Sequence, residues 1–287
     1  MTSSALRRNG AWLGLAPFAA YVLLFLALPT VLAITTGFFT KDGSFTWSNI
    51  AALTDPTVLQ TFWNSTWLSA LTALIGAVVG ALVCYAMLGL RPDGRIRSTI
   101  DAAASVLAQF GGVMLAFAFI ATIGIQGVIT VFLKDHVGVN IFANGAWIYE
   151  LPGLVLPYIY FQIPLMVITF MPAMSALRPQ WVEANLTLGG TRSSFWRYVG
   201  IPVLAPSFFA SLLLLFANAF SSFATAAALA SQGSQIAPLQ IRTALTSETV
   251  LGRENLAGAL ALGMIVVVGV VMYLYSFIDR RASRWRA

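Results

Sequence analysis

The sequence contains six long apolar runs, each about as long as a helix that crosses a lipid bilayer. Such a helix takes about 20 residues, and the runs cover 13–36, 63–88, 102–123, 153–177, 201–229 and 256–278. Only 9% of the residues are charged, against about 25% in soluble domains. The sequence therefore predicts an all-α integral membrane protein with six transmembrane helices, forming a single domain over 1–287.

The basic residues lie mainly on one side of the predicted spans. Twelve of the sixteen fall before the first span, between the second and third, between the fourth and fifth, or after the sixth. Cytoplasmic loops carry an excess of Lys and Arg. We therefore expect both termini and the loop 178–200 to be cytoplasmic. Because the arginines are spread over four short segments, the basic charge does not indicate a nucleic-acid partner.

Motifs for catalysis, nucleotide binding and metal binding are missing from the sequence. It has no phosphate-binding G-x-x-x-x-G-K-[ST] loop, no G-x-S-x-G elbow and no H-E-x-x-H pair. With one cysteine, Cys84, and one histidine, His136, no metal site is predicted. Few charges fall within the spans, where ion-coupled carriers keep them. We expect no catalytic residue, and a stand-alone carrier or an intramembrane enzyme is disfavoured.

The loop between the fourth and fifth spans has the pattern of two short helices joined by a glycine turn. Pro179 suits a first helical turn, and Gly189 with Gly190 suits a left-handed stop. Ser193 or Ser194 can cap the second helix. Apolar residues repeat along one face of the first helix, at Leu177, Trp181, Ala184 and Leu188. Periodicity alone leaves two interpretations, a helix lying on lipid or a surface presented to a cytoplasmic partner.

The stretch EANLTLGGTRSSFWRYVGIP resembles the EAA loop of the binding-protein-dependent ABC importer permeases. That family's pattern is E-A-A, three residues, G, nine residues and I-x-L-P. Six positions follow this spacing, namely Glu183, Ala184, Gly189, Val199, Ile201 and Pro202. Asn185 replaces the second alanine of the pattern, and Val199 and Ile201 are conservative replacements of its isoleucine and leucine.

The resemblance implies a type I ABC importer permease fold in a bacterial inner membrane, with the loop acting as a coupling helix on a cytoplasmic ATP-binding cassette ATPase dimer. ATP and Mg would then bind to that partner, so no cofactor is expected on this chain. The other implied partners are a second permease subunit, of the same or a different chain, and an extracytoplasmic solute-binding protein. The residues implied in ATPase coupling are Glu183, Ala184, Gly189, Gly190, Arg192, Arg197 and Pro202.

Polar side chains within the spans are candidates for the solute path. In the fifth span their spacing predicts one helical face, and polar groups at membrane depth usually face the bundle interior. Interhelical hydrogen bonding is the alternative role. The candidates are Gln109, Tyr158, Gln162, Asn218, Ser221, Ser222 and Thr225.

The sequence alone leaves open the identity of the solute and the role of a stripe of small residues in the second span. The segments FTWSNIAALTDPTVLQTFWNS and LPYIYFQIPLMVITFMPAMSALRP resemble polyamine, thiamine, iron and phosphonate importer permeases most, while sugar permeases share much of the pattern. In the second span, Gly76, Gly80 and Cys84 are four residues apart. Such a stripe of small residues allows another helix to approach closely, within this chain or in a dimer.

Overall fold

The computed structural model describes residues 15–40, 42–91, 93–230, 236–246 and 255–283. The described part of the chain is helical, and six of its segments are long and apolar enough to cross a membrane. The chain divides into two compact units, Met1–Leu59 with Gln240–Val266 and Gln60–Leu239 with Val267–Ala287. The single membrane domain over 1–287 stays a prediction.

Eleven helical segments of the described chain are numbered in chain order. They are α1 (Leu15–Thr36), α2 (Pro56–Met87), α3 (Arg95–Gln109), α4 (Gly112–Ile123), α5 (Val155–Ser175), α6 (Pro179–Thr187), α7 (Arg192–Phe195), α8 (Ile201–Phe220), α9 (Ala224–Leu229), α10 (Ala237–Thr246) and α11 (Leu256–Ser283).

The predicted third span, 102–123, is wrong as one continuous helix. Helix α3 ends at Gln109, and α4 begins at Gly112, whose φ is +68°. A left-handed residue cannot continue a right-handed helix, and glycine adopts that conformation without a Cβ penalty. The apolar segment long enough to span is instead Gly112–Val137, so the chain after the glycine pair supplies the third candidate span.

The predicted fifth span, 201–229, is also interrupted. Helix α8 ends at Phe220 and α9 begins at Ala224. The Ser221 hydroxyl donates to the Ala217 carbonyl at 2.9 Å, and the hydroxyl of Tyr158 donates to the Ser222 carbonyl at 2.8 Å. A carbonyl shielded from water needs a hydrogen-bond partner where the helix stops, and the tyrosine hydroxyl supplies that partner.

Small residues let α2 pack closely against α5 in the larger unit. A Cβ added at Gly80 would lie 2.5 Å from Met166 Cβ, and one at Gly76 would lie 2.7 Å from Gln162 Cβ. The Cys84 thiol lies 3.8 Å from the carbonyl oxygen of Val167. The stripe of small residues therefore serves packing within the chain, which decides between the two roles left open by the sequence.

A core cluster lies in the larger unit, where α4 packs against α9 and α5 contributes one wall. Its buried members are Leu68, Leu115, Ala116, Ile148, Leu154, Tyr158, Phe161, Ala219, Ala226, Leu229 and Ile236. In the smaller unit, α1 and the first turn of α11 meet through glycines. A Cβ added at Gly37 would lie 2.6 Å from the Ala259 nitrogen.

Candidate functional site

The loop between α5 and α8 begins with a short helix whose apolar side is exposed. Arg178 is extended and Pro179 opens α6, as expected for a proline in the first helical turn. Trp181 is exposed and Leu188 is 88% exposed. Exposed hydrophobic side chains that are neighbours on a surface can mark contact with a protein or with a membrane. Glu183 and Ala184 are exposed on the same helix.

The glycine turn after α6 is a Schellman motif. Gly189 has φ +79°, and its amide donates to the Leu186 carbonyl at 3.0 Å. The Gly190 amide donates to the Asn185 carbonyl at 2.8 Å. These two bonds satisfy carbonyls that the end of a helix otherwise leaves without partners. The left-handed stop predicted at this position is confirmed.

The cap of α7 differs from the prediction. Thr191, rather than Ser193 or Ser194, is the N-cap residue. Its hydroxyl accepts from the Ser194 amide at 3.2 Å, and the Ser194 hydroxyl accepts from the Thr191 amide at 2.8 Å. This reciprocal capping box starts the second helix directly after the glycine pair, because Thr191 is already extended there.

Asn185 holds the two short helices together, a role that the sequence did not reveal. Its amide nitrogen donates to the Thr191 carbonyl at 3.0 Å, and its amide oxygen lies 3.2 Å from the Ser194 hydroxyl. A Cβ added at Gly190 would lie 2.5 Å from that oxygen. The available signal was the asparagine itself, since Asn within a helix often bonds to nearby backbone. Gly190 therefore leaves room for the Asn185 side chain, and its φ is not positive.

Beyond α7 the chain enters α8 through a π-helical turn, Trp196–Gly200. The Trp196 ring packs on Gly200, where an added Cβ would lie 2.6 Å from the ring. The same ring meets Tyr85 of α2 edge to face, with centroids 5.3 Å apart. The loop is therefore joined to the ends of α2 and α8, and π turns of this kind are frequent at functional sites.

The charged residues assigned to the loop are exposed. Neither Glu183 nor Arg192 forms an ion pair within the described ranges. The Arg197 guanidinium lies 5.7 Å from the centre of the exposed Tyr198 ring. Pro202 is exposed at the start of α8. Charges held outward beside exposed apolar residues can recognise a partner surface, because a polar rim around an apolar centre is typical of interfaces.

The polar residues proposed for the solute path separate into two groups. Tyr158, Gln162 and Thr225 are fully buried in the described chain. Gln162 donates to the Thr72 hydroxyl at 2.7 Å and so connects α5 with α2. Tyr158 connects α5 with the break between α8 and α9. This arrangement supports the role of interhelical hydrogen bonding for Tyr158 and Gln162.

The other path candidates are accessible in the described chain. Gln109, Asn218 and Ser221 are exposed, and Ser222 is half-buried. Since the helix stops at Phe220, the four polar residues from Asn218 to Thr225 do not share one helical face, and that expectation was wrong. Asn218 is the last of them on α8 itself. The described part of the chain contains no cluster of metal-ligating side chains.

Curated relatives match most of the chain. The probable ABC transporter permease protein y4fN of Sinorhizobium fredii is 27% identical over 94% of this chain, which spans only 46% of that relative. PotB of Haemophilus influenzae, a spermidine/putrescine transport system permease protein, is 22% identical over 92% of both chains. The chain is related to the ABC transporter permeases. No protein-family model matches it.

Solved permease structures share the fold. A bacterial ABC transporter that imports the polysaccharide alginate superposes with a TM-score of 0.78, at 16% identity over 97% of each chain. The methionine ABC transporter MetNI superposes with a TM-score of 0.60, at 14% identity over 80% of this chain and 99% of the other. The all-helical ABC importer permease fold predicted from the loop motif is therefore confirmed.

Proposed function

We propose that this chain is the transmembrane permease subunit of an ATP-driven, binding-protein-dependent importer in a bacterial inner membrane. The observation that carries the proposal is the loop between α5 and α8. It is held rigid by the Schellman turn and by the Asn185 network, and it presents Glu183 and Leu188 outward. A rigid surface of this kind suits docking, because little conformational entropy is lost on binding.

The proposed partners follow from the similarity to ABC importer permeases. An ATPase dimer receives α6 and supplies ATP and Mg, a second permease subunit completes the solute path, and a solute-binding protein delivers the solute from outside. The alginate transporter has been solved with a periplasmic binding protein carrying alginate, which supports this assembly. In the complex, motion of the ATPase would reach α2 and α8 through Trp196.

The solute is proposed to be small and polar. The relatives are named for spermidine and putrescine, ferric iron, trehalose and sulfate. All of these solutes are small, and each is polar or charged. A polyamine is the first solute to test, because PotB matches over 92% of both chains. Gln109, Asn218 and Ser221 are the proposed lining residues, since they are polar and accessible.

Co-purification and uptake together test the proposal. The tagged chain, expressed with the ATPase and binding protein of its own transport system, should retain the ATPase, and proteoliposomes should take up solute only with ATP. Asn218→Leu should lower uptake without loss of the ATPase, while Phe209→Leu, exposed on the opposite face of α8, should not impair uptake. ATP-independent uptake by the chain alone would favour a stand-alone carrier and contradict the proposal.

The proposed orientation places the loop 178–200 and both termini in the cytoplasm, because of the distribution of basic residues. Six of these, Arg7, Arg8, Lys41, Arg253, Arg284 and Arg286, lie outside the described residues. Single cysteines at Ser193 and at Val139, which follows the third candidate span, are introduced in a Cys84→Ser background, and both positions are exposed. In intact cells an impermeant maleimide should label position 139 only, and labelling of position 193 from outside would contradict the orientation.

A further inference from the structure

A cleft of about 320 Å³ opens between α3 and α5, and its Ser175 end lies three residues before the loop 178–200. Its polar wall comes mainly from α3, with Arg97, Asp101 and Ser105 on successive turns, and Ser175 adds a hydroxyl at the end of α5. Its apolar wall consists of Ala104, Val167, Ile168, Met171 and Pro172. The cleft is large enough for a small ligand, since ligand pockets begin at about 300 Å³.

The polar end of the cleft lies where the fourth candidate span stops. Ser175 is the last residue of that span, Leu151–Ser175, and its hydroxyl accepts a hydrogen bond of 3.0 Å from the Arg97 guanidinium. Val167 lies eight residues before Ser175, about 12 Å along the helix. The α5 wall of the cleft therefore changes from a hydroxyl at the end of the span to apolar side chains inside it, as a phospholipid does from headgroup to acyl chain, while Asp101 and Ser105 continue the polar wall on α3.

The two charges in the cleft do not neutralise each other. Arg97 and Asp101 are four residues apart, so they share one face of α3, and both line the cleft. Within the described residues they form no ion pair. A guanidinium and a carboxylate held side by side but unpaired are complementary to a ligand that carries one anionic and one cationic group.

We infer that this cleft binds a phospholipid with a zwitterionic phosphoethanolamine headgroup. The phosphate binds to Arg97 and Ser175, the primary ammonium donates to the Asp101 carboxylate, and an acyl chain lies along Val167, Ile168 and Met171. The inference requires only that the helices span a bilayer, so it is independent of the proposed import function.

Native mass spectrometry of the full-length protein in detergent tests this inference. Phosphatidylethanolamine, phosphatidylcholine and phosphatidylglycerol with the same acyl chains are titrated in parallel. Phosphatidylcholine lacks an ammonium hydrogen for Asp101, and phosphatidylglycerol lacks the cation. We expect phosphatidylethanolamine to bind about tenfold more tightly than either, because one charge-assisted hydrogen bond is worth roughly that factor. Equal affinities for the three lipids would overturn the inference.

Matched variants assign the selectivity to the two charges. Asp101→Asn should remove the preference for phosphatidylethanolamine over phosphatidylcholine and phosphatidylglycerol. Arg97→Gln should weaken the binding of all three lipids. Arg95→Gln and Asp93→Asn carry the same changes at exposed positions outside the cleft and should leave binding unchanged. Equal losses of lipid affinity in these controls would overturn the inference, because the affinity would then depend on the general surface charge.

A soluble competitor separates a lipid site from a site for free zwitterions. Glycerophosphoethanolamine has the same headgroup without acyl chains, so it should displace the bound lipid only at much higher concentration. If it competed as well as the intact lipid does, the apolar wall would contribute nothing, and the lipid inference would be overturned in favour of a soluble zwitterion.

Discussion

Gly189→Val is expected to uncouple ATP hydrolysis from solute uptake in the reconstituted complex while the spans still insert. Gly189 has φ +79° and no atom within 4 Å of an added Cβ, so the change acts through the backbone alone. A β-branched residue in a left-handed conformation costs about 1–3 kcal/mol, which favours opening the turn. The capping bonds of Thr191 and the position of α6 depend on that turn.

Two companion variants show whether this effect belongs to the loop. Gly189→Asn should keep most of the coupling, because asparagine tolerates the left-handed region. Gly138 also has positive φ, +72°, with open space around it, but it follows Val137 at the end of the third candidate span. Gly138→Val carries a comparable strain and should leave coupling intact. If both valine variants uncoupled equally, or if Gly189→Val kept normal uptake and hydrolysis, the coupling role would be wrong.

Gly80→Leu is expected to lower the unfolding temperature sharply and to reduce the yield of monodisperse protein. A Cβ at this position would lie 2.5 Å from Met166 Cβ and 2.9 Å from the Ile163 carbonyl oxygen. Because the backbone of α5 cannot move aside locally, α2 and α5 must separate to accommodate the leucine. The hydrogen bond between Gln162 and Thr72 lies on the same interface. Overpacking of this kind lowers the free energy of unfolding by about 1–3 kcal/mol. The contact with backbone places this variant near the upper end of that range.

Gly269→Leu is the matched control for the packing effect. Gly269 lies in α11, is exposed, and has nothing within 4 Å of an added Cβ. Thermal unfolding followed by light scattering should therefore show a large decrease for Gly80→Leu and little change for Gly269→Leu. The reverse order would mean that the small-residue stripe of α2 does not pack within the chain.

Much of the fold could be predicted because the membrane constrains the chain. In hydrocarbon every backbone group must bond within its own helix, so each long apolar run becomes a helix. The predicted spans misplaced their boundaries where short sequences stop a helix, at Gly111–Gly112 and at Ser221–Phe223. Both stretches contain turn-forming residues, but their surroundings are apolar, and hydropathy alone does not detect a break of two or three residues.

The start and the glycine turn of the loop were predictable from the sequence, whereas the cap of its second helix was not. Pro179 and Gly189 act through their own φ angles, which the neighbouring residues scarcely alter. Thr191, Ser193 and Ser194 are all capable caps, and the choice depends on Asn185, whose amide bonds to the Thr191 carbonyl after the chain has turned. The cap was therefore decided by a contact between the two helices.

The sequence by itself determined the number of apolar helices, the glycine turn and the spacing of the loop motif, because each depends on residues close together in the chain. Only the tertiary structure decided which polar residues are accessible. Gln162 is buried because Thr72, ninety residues away, lies opposite it on α2, whereas Asn218 remains exposed. Two polar side chains with similar spacing on apolar helices have different fates because helix packing, and not local propensity, brings a hydrogen-bonding partner to one of them.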